Sequence, residues 1–439
     1  MKKRHILRTV VLLAALCAAF TVNPRRTQAA KAKTYTITPN KIPAGIKKSS
    51  AYNKNTKNWL QIQYYLKKLQ KGGGKLILKK GTYKISNTLY VPSNTTIELK
   101  EGAVLKKINK AKGKIKPAKN MFVLVSYNKK DKKNASAKYN GPKNIKFIGH
   151  GKGSVIDLSY IEGAHGISAS HNQNVTFENI TFKGENGGHY IELAGAKNVT
   201  IRNNRFLAAK SNTKSNFYNK EAINIDTTDK ETGGFKLGWS KKDQTPNVNI
   251  FIYNNLFDGV KRAIGTHKYS QKKDDKGKYT IHSKNVYHQN IQIKNNTFQN
   301  IYDNAVFMVN WKDTVIDSNR FIKIGLKNKR DTNTARHAVA GGGVTGLTLV
   351  NNRFSQVASS VVYFRRTANN GGGGQYYPVL VYVTDSELEQ MKSNKISDCG
   401  RDKDYQSYDI LMFKGNGERR KENAYGMDLQ TKEPVSGIK

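Results

Sequence analysis

Short stretches of alternating apolar and polar residues, each closed by a phenylalanine, recur through the middle of the chain. Asn174-Val-Thr-Phe-Glu-Asn-Ile-Thr-Phe182 returns as Asn198-Val-Thr-Ile-Arg-Asn-Asn-Arg-Phe206, Asn249-Ile-Phe-Ile-Tyr-Asn-Asn-Leu-Phe257 and Asn290-Ile-Gln-Ile-Lys-Asn-Asn-Thr-Phe298. Two looser copies follow, Asp313-Thr-Val-Ile-Asp-Ser-Asn-Arg-Phe321 and Gly346-Leu-Thr-Leu-Val-Asn-Asn-Arg-Phe354. The closing phenylalanines are 24, 51, 41, 23 and 33 residues apart. Each copy reads as a short strand, an asparagine corner and an inward Phe, because Asn tolerates the left-handed backbone of a tight corner. A period near 24 residues with no helical pattern between copies predicts an all-β, right-handed parallel β-helix. Its Asn side chains should hydrogen-bond from rung to rung, and its Phe rings should stack inside. A leucine-rich solenoid would need a Leu-x-x-Leu-x-Leu signature, which is absent.

A solenoid must cover its open ends. Trp59, Ile62, Leu66 and Leu69 fall at helical spacing and predict an N-terminal capping helix. After it come Gly72-Gly-Gly-Lys-Leu-Ile-Leu-Lys-Lys-Gly-Thr-Tyr83 and Leu89-Tyr-Val-Pro-Ser-Asn-Thr-Thr-Ile-Glu-Leu99. This succession of helix, Gly-rich turn, strand, G-T-Y, V-P-S-N and strand resembles the N-terminal pattern of the pectate-lyase superfamily. The resemblance covers roughly residues 55–365. From Gly371 the pattern gives way to a Gly run and a C-terminal cap or tail, where Thr384-Asp-Ser-Glu387 has capping-box spacing before a short helix.

Composition narrows the setting. The 439 residues carry a formal net charge of +45 and only two cysteines, which excludes a disulfide scaffold and a Cys-rich zinc site. Residues 1–30 read as a secretory signal, with Lys2, Lys3, Arg4 and Arg8 ahead of an apolar run from Val10 to Val22. Its removal takes six basic side chains and leaves +39 on residues 31–439. No apolar run is long enough to cross a membrane. The expected setting is therefore secreted, extracellular or wall-associated, and the expected partner an acidic polysaccharide. No nucleic-acid recognition motif is visible. A capped β-helix is expected to stand alone as a monomer.

Aligning the coils brings out a polar column: His165-Gly-Ile, His189-Tyr-Ile, Glu221-Ala-Ile, Arg262-Ala-Ile, Asn304-Ala-Val and His337-Ala-Val. Equivalent positions stack ~4.8 Å apart, so His189, Glu221, Arg262, Asn304 and His337 are predicted to line one face. A second column holds Asp226 beside His267, with Glu192 and Asn224 between the two. The extra residues of the long spacings fall at 227–246 and 268–288, beside this column, and insertions of this kind mark a binding face. Their aromatics, Phe235, Trp239, Tyr269, Tyr279 and Tyr287, are candidates for a sugar-stacking wall.

Glu221-Ala-Ile-Asn-Ile-Asp226 is similar to the N-T-D-G-I-D-I strand of the polygalacturonase-like branch of this superfamily. Lys261-Arg262 then stands where that branch has two aspartates. Hydrolysis needs two carboxylates ~5–9.5 Å apart; an extended strand puts Asp226 ~16 Å from Glu221, and Glu192 lies at ~10–11 Å. β-Elimination needs instead a base and cations facing a uronate. Resemblance to the lyases of the superfamily implies an Arg or Lys base, often with calcium. The expected function is thus cleavage of an acidic polysaccharide by β-elimination. Glu221, Arg262, His189, His267 and Asp226 are the expected catalytic set. Glu192, Lys261, Asn224, Asn304, His337 and Trp239 are expected to bind substrate, and Asp226, Asp229 and Asp243 are the oxygen donors available to calcium. Hydrolysis by Glu221 with Glu192 or Asp226, and non-catalytic binding of anionic wall polymers, are the rival readings.

Overall fold

The computed structural model describes residues 32–111, 115–130, 132–207, 220–326, 336–367, 376–400, 408–413, 424–429 and 434–435. The expected leader at residues 1–30 and the Gly run at 371–374 lie outside the described residues.

The chain winds as a right-handed parallel β-helix. One full coil runs through His165–Ser170, Gln173–Glu178 and Thr181–Lys183. The next repeats it with Ile191–Ala194, Lys197–Arg202 and Arg205–Leu207, each strand parallel and in register with its predecessor. Further coils begin at Glu221–Asp226 and Arg262–Gly265. In the two after those, single long strands, Val306–Asp317 and Val339–Val350, span the first two faces. The third face is a separate ten-stranded parallel sheet.

The repeat's physical logic is visible in the asparagines. In each Asn-Asn-x-Phe corner the first Asn takes a left-handed backbone, as at Asn203, Asn254, Asn295 and Asn351 with φ of 55° to 57°. The second turns inward, so Asn204, Asn255, Asn296, Asn319, Asn352 and Asn394 form a buried ladder. Asn296 is typical: its Nδ2 donates to the Ile252 carbonyl at 2.9 Å and to Asn319 Oδ1 at 3.0 Å. Its own Oδ1 accepts from the backbone N–H of Asn255 at 2.9 Å. A second, outer ladder joins Asn144, Asn174, Asn198, Asn249 and Asn290 at 2.8 to 3.0 Å. Beneath them Phe182, Phe206, Phe257, Phe298, Phe321 and Phe354 stack face to face with centroids 4.7 to 5.0 Å apart. Asn296→Ala would strand donors and acceptors of three coils in the core. We expect a loss of roughly 1–3 kcal/mol, read from the denaturant midpoint; an unchanged midpoint would mean that the ladder is not a stabilising element.

The predicted cap is the helix Lys57–Leu69, which buries Trp59, Ile62, Leu66 and Leu69 and ties Trp59 Nε1 to the Thr88 carbonyl at 2.8 Å. At the other end the stack runs beyond the sequence boundary at residue 370. Lys395–Ser397 pairs in parallel with Arg353–Val357, and Ile410–Phe413 with Val362–Phe364. Antiparallel pairing of Ala424–Met427 then ends the parallel run. The capping box of Thr384 and Glu387 opens the helix Asp385–Gln390.

The two insertions flank the first face. Phe235 and Trp239 of the first pack on Val123, Val125 and Ala194. The second folds back through Ser270–Gln271 and Asn285–Val286, and its Tyr269 packs with Tyr376, Val309 and Val379.

Candidate functional site

The first face carries a chain of charged groups. Glu221 stands opposite Arg262 in the parallel ladder, which skips Ala222. That break in strict alternation lets Glu221, Asn224 and Asp226 leave the same side of the strand, and all three contact His267. Arg262 donates from Nη1 to Glu221 Oε1 at 2.9 Å and from Nη2 to Asp303 Oδ2 at 2.6 Å, and its guanidinium lies 4.4 Å from the Phe307 ring centroid. Asp303, Arg262, Glu221 and His267 thus form one continuous series. Alignment of the coils places Asn304, not the adjacent Asp303, in the polar column, so the sequence pattern alone does not mark Asp303.

His267 sits between two carboxylates: Nδ1 is 3.1 Å from Glu221 Oε2, and Nε2 is 3.5 Å from Asp226 Oδ2. Burial alone would lower its pKa, but the charges of Asp226 and Glu221 outweigh it and raise the value above 6.5. Burial would push Glu221 up; His267, Arg262 and His189 together hold it well below the usual carboxylate range. Asp226 moves the other way: burial, reinforced by the Glu221 charge, raises it in spite of His267.

His189 behaves differently from its neighbour. Its Nδ1 lies 2.7 Å from the Glu221 backbone carbonyl, which can only accept, so Nδ1 carries the hydrogen and Nε2 the lone pair. Burial, with the nearby His165, pushes its pKa well below 6.5. His189 is therefore neutral with a fixed tautomer, while His267, stacked on it at 5.9 Å, favours the imidazolium. His165 meets His189 edge-on with centroids 5.2 Å apart, its Nδ1 lies 3.5 Å from Glu192 Oε2, and burial lowers its pKa also.

These groups open into a cleft of about 240 Å³ lined by His165, His189, Glu192, Asp226, His267 and Asn120, with Lys220, Lys236 and Lys268 among its cations. Of the sequence-predicted residues, His189, His267, Asp226 and Glu192 meet here. Glu192 also accepts from Ser168 Oγ at 2.9 Å. The expected ~16 Å between Glu221 and Asp226 fails, because one imidazole bridges their carboxylates. Asn224 stands behind His267, with Nδ2 3.2 Å from its Nδ1.

Other expectations are corrected. Glu221 is fully buried, its carboxylate is held by Arg262 and His267, and it does not line the cleft. Arg262 is buried, does not line the cleft, and gives its two terminal nitrogens to Glu221 and Asp303; burial would lower its pKa, but the charges of Asp303 and Glu221 raise it. Lys261 points elsewhere and is sealed against Glu185 at 3.1 Å. Asn304 and His337 are buried higher in the stack, where His337 Nδ1 meets the Ser360 carbonyl at 2.7 Å and its ring stacks on Tyr363 at 4.4 Å. Trp239 is core, not wall, because the insertion needs it to cover Val123, Val125 and Ala194; Tyr269 is buried likewise.

Calcium, which takes six to eight oxygen ligands, does not fit the three aspartates. Asp229 accepts from Thr232, Ser270 and Tyr376, and Asp243 from Thr228, Thr245 and Lys138, so each is spent separately. Among the described residues the tightest His and carboxylate group is His189, Glu221 and His267. In it Glu221 Oε1 is taken by Arg262 and His189 Nδ1 by a carbonyl, so the donor atoms left to a cation are Glu221 Oε2, His189 Nε2 and one nitrogen of His267.

The His267 shift has a stability consequence with a definite sign. A folded-state pKa above the unfolded value gives stabilisation that is complete below pH 6.5 and is lost as pH rises through the folded value. Denaturation midpoints of the wild type should therefore fall across that interval, and those of His267→Gln should fall less. A steeper alkaline fall in the variant would contradict the assignment.

No protein-family model matches the chain. Among curated proteins it is similar to plasmin and fibronectin-binding protein A of Streptococcus pneumoniae, 28% identical over 276 residues, which are 57% of this chain and 35% of that protein. The chain thus spans about a third of that relative's length. Among solved structures it matches the S. pneumoniae surface protein and adhesin PfbA at a TM-score of 0.53, with 21% identity over 84% of both chains. A family 28 exopolygalacturonase of Yersinia enterocolitica aligns at a TM-score of 0.37, with 13% identity over 79% of this chain and 77% of that one. The likeness bears on fold alone: a parallel β-helix.

Proposed function

We propose that the cleft cleaves a uronate-containing polysaccharide by β-elimination, with His189 as the base in place of Arg262. The observation that carries this reading is the pairing of unlike imidazoles: His189 neutral, with its tautomer fixed by the Glu221 carbonyl, beside His267 held toward the cation by Glu221 and Asp226. His189 Nε2 takes the proton α to the uronate carboxylate. The electron pair first moves into that carboxylate, whose growing charge is met by His267 and the lysines at 220 and 268. It then returns to form the carbon–carbon double bond as the β carbon–oxygen linkage breaks. His189 then passes the proton it took to the leaving oxygen, which returns its imidazole to the neutral form. No water is consumed.

A second reading, hydrolysis, has its own support. Glu192 and Asp226 both line the cleft, and the pairing of Ala194 with Asp226 puts their Cα atoms about 8 Å apart. One experiment separates the two: reducing ends and unsaturated-uronide absorbance counted together on a panel of uronate polysaccharides. Elimination gives both in equal number; hydrolysis gives reducing ends alone. The named relative is a plasmin- and fibronectin-binding protein, so neither product, with retained binding to the panel, would assign the cleft to recognition.

A further inference from the structure

The third face, remote in the fold from the strands that build the cleft, carries an unassigned row of charge. Arg320, Arg353 and Lys395 occupy one register column on three successive strands, Arg320 opposite Arg353 and Arg353 opposite Lys395. Their repeat is therefore ~4.8 Å. All three are exposed, and among the described residues no carboxylate pairs with any of them. Some outward cations elsewhere do meet an acid on a neighbouring strand, as Lys75 does Glu98, Lys183 does Asp157 and Arg202 does Glu178. Three stacked like charges repel one another and gain from a ligand that brings anions at a comparable spacing.

Beside the column runs an open groove of about 1020 Å³ that also takes in Ser318, Ile322, Asn351, Ser355 and Ser397. It offers hydroxyl and amide groups for sugar oxygens and an apolar patch at Ile322 for a pyranose face. The aromatic ring that it contains, Phe354, is stacked in the core and is not presented to a ligand. Single-stranded nucleic acid is held on exposed aromatic platforms, so the groove suits a glycan better. We propose that this face is a second binding site, which takes a linear polyanionic polysaccharide lying along the solenoid axis, one anionic group per cation. The site does not depend on the chemistry assigned to the cleft.

The test is binding of polygalacturonate to the full chain by affinity electrophoresis over a range of salt. A triple Arg320→Ala, Arg353→Ala, Lys395→Ala variant should bind about tenfold more weakly and with a shallower salt dependence. A control triple variant at the exposed Lys71, Lys110 and Lys276 should bind as the wild type does. Matching thermal midpoints establish that the folds are equal, and the double variant Arg320→Lys, Arg353→Lys should retain most of the affinity. Unchanged binding in the first triple variant overturns the proposal, as does an equal loss in the control, which would make the attraction one of diffuse charge. An equal loss of single-stranded oligonucleotide binding would overturn the choice of a glycan.

Discussion

Replacing Arg262 by alanine is expected to cost the fold about 3–5 kcal/mol, the range for breaking a buried ion pair by removing one partner. Glu221 and Asp303 are both buried, and both give a carboxylate oxygen to this one guanidinium. Without it two buried carboxylates are left with His267, beside Glu221, to offset their charge. Arg262→Lys should recover part of the loss, because a single ammonium cannot reach two carboxylates in the planar forked geometry. Denaturant midpoints of the two variants read this directly. Should the alanine variant match the wild type, the Asp303–Arg262–Glu221 series would carry no structural weight. Its position would then have to be explained by contact with substrate.

The second large effect falls on the cleft. His189→Gln keeps a donor for the Glu221 carbonyl and a similar volume but has no lone pair of imidazole basicity, so the cleavage rate should drop about 10²–10⁴-fold. Its thermal midpoint should stay near that of the wild type. Removing positive charge, as in Lys268→Ala, should act more on KM than on kcat, since that ammonium already donates to the Thr232 carbonyl at 2.7 Å and sits at the rim of the reacting groups. A rate loss in His189→Gln that tracks a collapse in stability would speak against the assigned role.

The fold was legible because a solenoid writes its period into the chain. Each Asn-Asn-x-Phe corner needs one left-handed residue, one buried amide and one stacking ring, and those three demands leave the same residues at the same spacing every coil. The polar column was legible for the same reason: register follows from the repeat, and Glu221 does stand opposite Arg262. Roles were harder to read. Nothing in the sequence distinguishes a cation that faces substrate from one clamped between Glu221 and Asp303, because Asp303 enters from the next coil in a register offset that a flat alignment does not contain. Trp239 misled for a related reason. An insertion long enough to form a cleft wall also needs a core of its own, and its largest apolar residues were taken for that purpose. The two histidines looked alike in sequence, and only their partners, a carbonyl for one and two carboxylates for the other, set them apart.

The most direct test is the initial rate of unsaturated-uronide formation from polygalacturonate and related polyuronates, measured for the wild type and His189→Gln side by side. The account predicts steady growth of absorbance with the wild type and a loss of at least about a hundredfold in the variant. Reducing ends released by the wild type without that absorbance, or equal rates from the two proteins, would contradict it.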